Sequence, residues 1–252
     1  MSTWVLLRGL TRERRHWGNF PEQLMLELPE ARLITMELPG NGDLNAMNSP
    51  VCISEMAANC RAEMKQLGVS PPYNLLAMSM GAMVATAWAE AHPDEIAACV
   101  LINTSFGSFS PLHHRLRPRA WPKLVRLLLT VNARRREQII FRLTSRLSRA
   151  PEERIDEWTA IRRSRPVGAW NAWRQLAAAA CFQAPPAAPV ATLVLAGAGD
   201  GLVDPRCSLD IARRWKCVMA VHPTAGHDLP MDDGPWVAGT IRAWLASGSQ
   251  SS

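Results

Sequence analysis

Six short apolar runs rich in Val, Leu and Ile recur along the chain, with helical stretches between them. They are 3–9 (TWVLLRG), 31–38 (ARLITMEL), 73–79 (YNLLAMS), 98–104 (ACVLINT), 191–198 (ATLVLAGA) and 217–222 (CVMAVH). Their hydrophobicity is continuous rather than alternating, which is what a strand covered on both faces requires. Helix candidates fall between them near 53–67, 80–91 and 205–215, with a last one near 235–246. This alternation predicts a doubly wound α/β domain: a mostly parallel sheet of about six strands with helices on both faces. At 252 residues the chain has room for one large domain with an insertion, and 48% hydrophobic against 20% charged residues excludes disordered and collagen-like classes.

The alternation breaks once. From Ser105 to Ala188 there is no strand signal, only helical pattern near 120–132, 134–148, 151–164 and 168–181, ending in the stiff Gln183-Ala-Pro-Pro-Ala-Ala-Pro189. This reads as a helical lid inserted at 105–188 over the end of a core formed by 1–104 and 189–246, with 247–252 as a disordered tail. The insertion also concentrates the charge. Residues 113–165 hold 15 Lys+Arg against 5 Asp+Glu, so the remainder of the +6 chain is mildly acidic.

The six cysteines form no C-x-x-C pair and sit in apolar stretches, as small buried hydrophobes do in a reducing compartment. The first residues lack a basic segment followed by a long apolar run, and no stretch of about 18 uncharged apolar residues occurs. The expectation is a cytoplasmic protein with no signal peptide and no membrane span.

The strongest chemical signal is Ala77-Met78-Ser79-Met80-Gly81, which follows one apolar run and opens the helix MGAMVATAWAEA. A sharp strand-to-helix turn lifts the Ser79 hydroxyl above the sheet, and small residues two before and two after it let the turn close. The amides at the helix start face whatever sits on the serine, with the positive end of the helix dipole behind them. Taken alone, the pentapeptide also fits a serine used as an ordinary helix N-cap. A serine nucleophile needs a base and an acid that orients it, and in a fold of this kind the chain order is Ser, then Asp or Glu, then His. Asp200 stands at the tip of the run ATLVLAGA and His227 in the loop after CVMAVH, so both fall on the face where Ser79 projects. Asp204, before Pro205, reads as a helix N-cap, and His222 as a packed strand residue. His113 and His114 lie in the basic insertion, while His16 and His92 lack a suitably placed acid.

With these residues the chain resembles the α/β-hydrolase family over essentially its whole length. Arg8-Gly9-Leu10 resembles the family's His-Gly-x turn, with Trp17 after it, and Glu37-Leu38-Pro39-Gly40-Asn41-Gly42 its Asp-x-Pro-Gly-x-Gly loop. The serine turn, Gly197–Asp200 and Gly226-His227 complete five motifs in family order. The resemblance implies an α/β-hydrolase fold with Ser79 as nucleophile, His227 as base and Asp200 as its partner. It further implies an oxyanion hole from the amides of Leu10 and Met80, and neither metal nor organic cofactor. Three positions depart from the pattern: Arg8 for histidine, Ala77 for glycine and Glu37 for aspartate. Arg8 either brings a fixed positive charge to the pocket mouth, favouring an acidic substrate, or turns out to solvent.

The function this implies is a carboxylic ester hydrolase for short- to medium-chain acyl groups, working through an acyl-enzyme. The aliphatic lid, with Trp121, Leu124, Leu128 and Ile140 toward the acyl pocket, favours acyl chains over sugars or peptides. Thioester or C–C bond hydrolysis is the alternative within enzymes, and a non-catalytic binding protein the alternative outside them. Within 134–148 the apolar Ile139, Ile140, Leu143 and Leu147 fall on one arc at about 100° per residue. Arg135, Arg142, Arg146 and Arg149 fall beside it. Those arginines form either a solvated face or a docking face for an acidic partner, such as an acyl carrier protein or a coenzyme A ester. Nucleic acid is not expected, since Trp121, Phe141 and Trp158 occupy core-like helical positions.

Overall fold

The computed structural model describes residues 2–147 and 151–248. Six strands form one sheet in the order β2-β1-β3-β4-β5-β6, with every neighbouring pair parallel. They are β1 (Ser2–Leu7), β2 (Ala31–Met36), β3 (Tyr73–Met78), β4 (Ile96–Ile102), β5 (Ala191–Gly197) and β6 (Val218–His222). Each coincides with one of the six apolar runs.

Because side chains alternate across a strand, β1 and β3 feed two cores at once. Val5, Leu7 and Leu75 pack into one apolar layer with α2 (Ile53–Gln66), α3 (Met80–Ala91) and α9 (Pro205–Trp215). Trp4, Leu6 and Leu76 pack into the other with α1 (Phe20–Glu27) and α11 (Gly234–Gly248). This two-sided burial is why the strand sequences read as unbroken hydrophobic runs. α11 carries Ser247 and Gly248, which the sequence placed in a disordered tail; helical hydrogen bonding continues through the small residues there. Residues 249–252 lie outside the described residues.

Between β4 and β5 the described chain is helical: α4 (Leu112–Arg115), α5 (Trp121–Leu129), α6 (Ala133–Thr144), α7 (Pro151–Ser164) and α8 (Ala169–Cys181). Phe141, Ile155 and Trp158 give this insertion a small core of its own, with Ile140 packed against it. α8 is fastened to the core through polar side chains. Gln175 donates to Asn41 and Ser49 and accepts from the Thr11 amide at 2.8 Å, while Asn171 accepts from the Ser49 amide at 2.9 Å. The short α10 (Leu229–Asp232) follows β6. No helix among the described residues is long and apolar enough to cross a membrane.

Candidate active site

The chain enters the sheet at β1, goes to one side for β2 and returns to β3 on the other. The switch point therefore lies between β1 and β3, where crevices open at the carboxyl ends of a doubly wound sheet. There Ser79 links β3 to α3 with φ +55° and ψ −119°, a left-handed conformation that costs energy in any residue with a Cβ. Tertiary contacts hold it: the Ser79 amide donates to the Ile102 carbonyl at 2.9 Å, and Thr104 Oγ1 donates to the Ser79 carbonyl at 2.9 Å. A Cβ on Gly81 would lie 2.5 Å from the Arg8 carbonyl oxygen, and one on Gly9 3.0 Å from Ser79 Cβ. The loop after β1 thus lies directly against the serine turn. The Leu10 and Met80 amides, flanking the serine in these two loops, have no hydrogen-bond acceptor among the described residues.

Asp200 and His227 meet. His227 Nδ1 lies 2.7 Å from Asp200 Oδ2, and both side chains are buried. The other oxygen of Asp200 accepts from the amides of Leu202 and Val203 at 2.7 and 3.0 Å, so the carboxylate is fixed on both sides. Burial alone would lower the proton affinity of His227, but the charge and hydrogen bond of Asp200 outweigh it and the imidazole sits above its ordinary value of 6.5. The ring's loop and the serine turn hang from the same segment. Asn103 Nδ2, at the end of β4, donates to the carbonyls of Gly226 and His227 at 3.0 and 2.8 Å, one residue before Thr104 takes the Ser79 carbonyl. Ser79 Oγ makes no hydrogen bond among the described residues.

The competing groups are otherwise engaged. Asp204 caps α9, accepting from the Arg206 amide at 3.0 Å, and its pairing with the Arg206 side chain holds it below the usual carboxylate range. His222 is buried and accepts from the Ala225 amide at 2.9 Å. No cluster of three or more His, Cys, Asp or Glu suited to a metal ion occurs among the described residues.

Arg8 does not turn out to solvent. It is buried and clasps Asp228, Nη1 to Oδ1 at 3.0 Å and Nη2 to Oδ2 at 2.6 Å, with its guanidinium 4.8 Å from the Trp17 ring centre. Its charge is paired inside the fold and does not face solvent. The only prior signal for Asp228 was its place next to His227, and Asn103 showed none beyond its position at a strand tip.

The insertion also differs in detail from its sequence reading. Arg146 and Leu147 do not continue the face of α6, which stops at Thr144. The Asp232 carboxylate accepts from Ser145 Oγ and from the amides of Arg146 and Leu147, which ends the helix from outside. The exposed Arg146 donates from its guanidinium to the carbonyls of Gly199, Arg142 and Ser145. Arg149 lies outside the described residues. Arg135 and Arg142 are exposed, and with Arg126 they line a concavity of about 340 Å³ between α5 and α6. Trp121, Leu124 and Leu128 share one stripe of α5, with Trp121 and Leu128 exposed, whereas Ile140 belongs to the insertion's own core. Trp121 is not a core residue, unlike Phe141 and Trp158.

The sequence profile of the family described as alpha/beta hydrolase fold matches residues 5–234. No curated protein sequence matches the chain. Among solved structures it is similar to a thermophilic esterase from Thermogutta terrifontis, at 25% identity and a TM-score of 0.75 over 98% of this chain and 90% of that one. It is similar also to a lipase candidate from Acinetobacter baumannii (16% identity, TM-score 0.79, 100% and 85% covered). An alpha/beta hydrolase fold protein from Chitinophaga pinensis is a third (16% identity, TM-score 0.75, 97% and 89% covered). With the match running from the first strand to the start of the last helix, the chain belongs to the alpha/beta hydrolase fold family, and it is a hydrolase by that membership.

Proposed function

We propose that this hydrolase is a serine carboxylic ester hydrolase acting on short- to medium-chain acyl esters. The observation that carries the reading is the 2.7 Å contact of His227 Nδ1 with Asp200, in a loop tied through Asn103 to the segment that holds the strained Ser79. Ser79 Oγ attacks the ester carbonyl carbon and its proton passes to His227 Nε2. Asp200 orients the ring through Nδ1–H and stabilises the imidazolium. The oxyanion receives the unengaged amides of Met80 and Leu10, donors worth roughly 3–4 kcal/mol each to a transition state. The tetrahedral intermediate collapses, His227 protonates the leaving alkoxide, and water repeats the sequence to release the acid. Likeness to an esterase at 25% identity supports the ester class, and the six unpaired cysteines accord with a cytoplasmic setting.

A fluorophosphonate probe tests the reading. Wild-type protein labels and Ser79→Ala and His227→Ala do not; labelling that survives Ser79→Ala refutes it. p-Nitrophenyl esters of increasing acyl length, assayed beside an acyl thioester, then set the bond type and chain length.

A second reading keeps the same chemistry but places the acyl group on an acidic carrier or coenzyme A. Arg126, Arg135 and Arg142 favour it: three guanidiniums without a carboxylate partner among the described residues converge on one concavity. Under it, Arg135→Glu with Arg142→Glu raises KM for a carrier-bound ester and leaves KM for a free ester unchanged. An unchanged ratio eliminates it.

A further inference from the structure

We infer that Arg8 and Asp228 are positioning residues, a buried clamp that sets the His227 loop and the Leu10 amide against Ser79. The inference rests on the Ser79–His227 reading proposed above and assigns a pair outside it.

The two residues stand 220 positions apart and bring together the loop after β1 and the loop after β6. Burying two full charges costs desolvation that an apolar contact would avoid, so such a pair is poor evidence for stability alone. Arg8 Nε is buried without a hydrogen-bond partner, so this guanidinium is not placed for its own best solvation. What the pair does provide is geometry. A two-pronged guanidinium–carboxylate contact fixes direction as well as distance. One end is two residues before Leu10, beside Gly9, whose Cβ position abuts Ser79. The other end is covalently next to His227. Asp228 is itself anchored, its amide donating to the Thr144 carbonyl at 2.7 Å.

The two members of the clamp act on the imidazole in opposite directions. Asp228 strengthens the ring's hold on a proton and Arg8 weakens it, in opposition. The remaining charged groups around the ring are Asp200 on Nδ1, Arg117 on the Asp200 carbonyl, and Asp232 and Arg146 beside Gly226 and Gly199. Removing one member of the clamp exposes the ring to the other, whereas removing both does not.

The test is the rate of fluorophosphonate labelling against pH for wild type, Arg8→Gln, Asp228→Asn and the double variant, with melting temperatures alongside. Each single variant labels more slowly, by on the order of tenfold to a hundredfold. The acid limb of the profile moves up by about one pH unit in Arg8→Gln and down by about one in Asp228→Asn. The limb of the double variant falls between those of the two single variants, and its rate stays below wild type, since Gln and Asn do not reproduce the two-pronged contact. Opposite shifts are a signature that loosened packing does not give. Wild-type rates and limbs in folded single variants, or shifts in one common direction, overturn the inference. If the single variants do not fold, the double variant decides by its rate, a wild-type value overturning the inference. Failure of all three to fold assigns the pair to stability and overturns it as well. Labelling that persists in Ser79→Ala instead removes the reading beneath it, a result distinct from each of these.

Discussion

Arg12, in the loop after β1, places Nη1 2.9 Å from Oε2 of Glu137, a fully buried carboxylate in α6. Arg162 of α7 takes the other oxygen, and the Arg12 guanidinium lies 4.1 Å from the Trp158 ring centre. One acid between two arginines therefore joins the insertion to the hydrolase core.

Glu137→Gln should cost about 3–5 kcal/mol, because it leaves two guanidiniums without their counter-charge. Urea unfolding at neutral pH measures it. Burial alone would raise the Glu137 pKa, but Arg12 and Arg162 outweigh it and hold the carboxyl below its ordinary 4.5. The stability it contributes is therefore complete above 4.5 and disappears as pH falls through the lower folded value. The variant should show a correspondingly smaller loss on acidification.

The raised proton affinity of His227 places the acid limb of kcat/KM above 6.5. Asp200→Asn removes the charge that opposes burial, so the limb should move below 6.5 while turnover falls by on the order of 10⁴-fold. Asp204→Ala should leave labelling intact and cost about 1 kcal/mol as a lost helix cap. Loss of turnover in Asp204→Ala with retention in Asp200→Ala would reverse the assignment of the acid.

Glu37 is buried in the loop after β2, and desolvation, followed by the nearby charge of Glu13, pushes its pKa to about 7. A carboxyl raised above its unfolded 4.5 stabilises the fold most at low pH, and that contribution is lost as pH climbs through about 7. Between pH 5 and 8 the wild type should lose about 2 kcal/mol more than Glu37→Gln. Denaturant titrations at the two pH values compare them.

Gly81→Ala should misplace Ser79. The added methyl falls within 2.6 Å of the carbonyl oxygens of both Leu7 and Arg8, so β1 and the start of α3 must separate. A stability loss of about 1–3 kcal/mol is expected from overpacking, with labelling slowed beyond what the lost stability explains. Melting curves and probe kinetics on one preparation separate the two effects.

Features written locally were legible in the sequence. The run YNLLAMS, with Gly81 two residues past Ser79, specifies a buried strand and a sharp turn, and both stand in the structure. Asp200 and His227 were legible because each follows an apolar run, and parallel strands deliver their ends to one rim. What lay hidden depends on partners distant in the chain. Arg8 could not be read as buried without Asp228, and counting at 100° per residue carried α6 to residue 148 because the Asp232 carboxylate that stops it lies 86 residues from Arg146. Asn103 gave no sign of spanning β5 and the His227 loop, since its role is set wholly by what surrounds it. α1 escaped notice as eight residues carrying a proline in their first turn.

β4 and β5 are direct neighbours, paired from Ala98 against Ala191 to Ile102 against Leu195. The whole stretch from 103 to 190 is thus topologically a single excursion between adjacent strands. Lengthening such an excursion adds only about 0.6 kcal/mol per doubling. Chain connectivity therefore sets little limit on the size of the cover, whereas the Thr144 carbonyl, which accepts from the Asp228 amide, makes the rim depend on how that cover is seated.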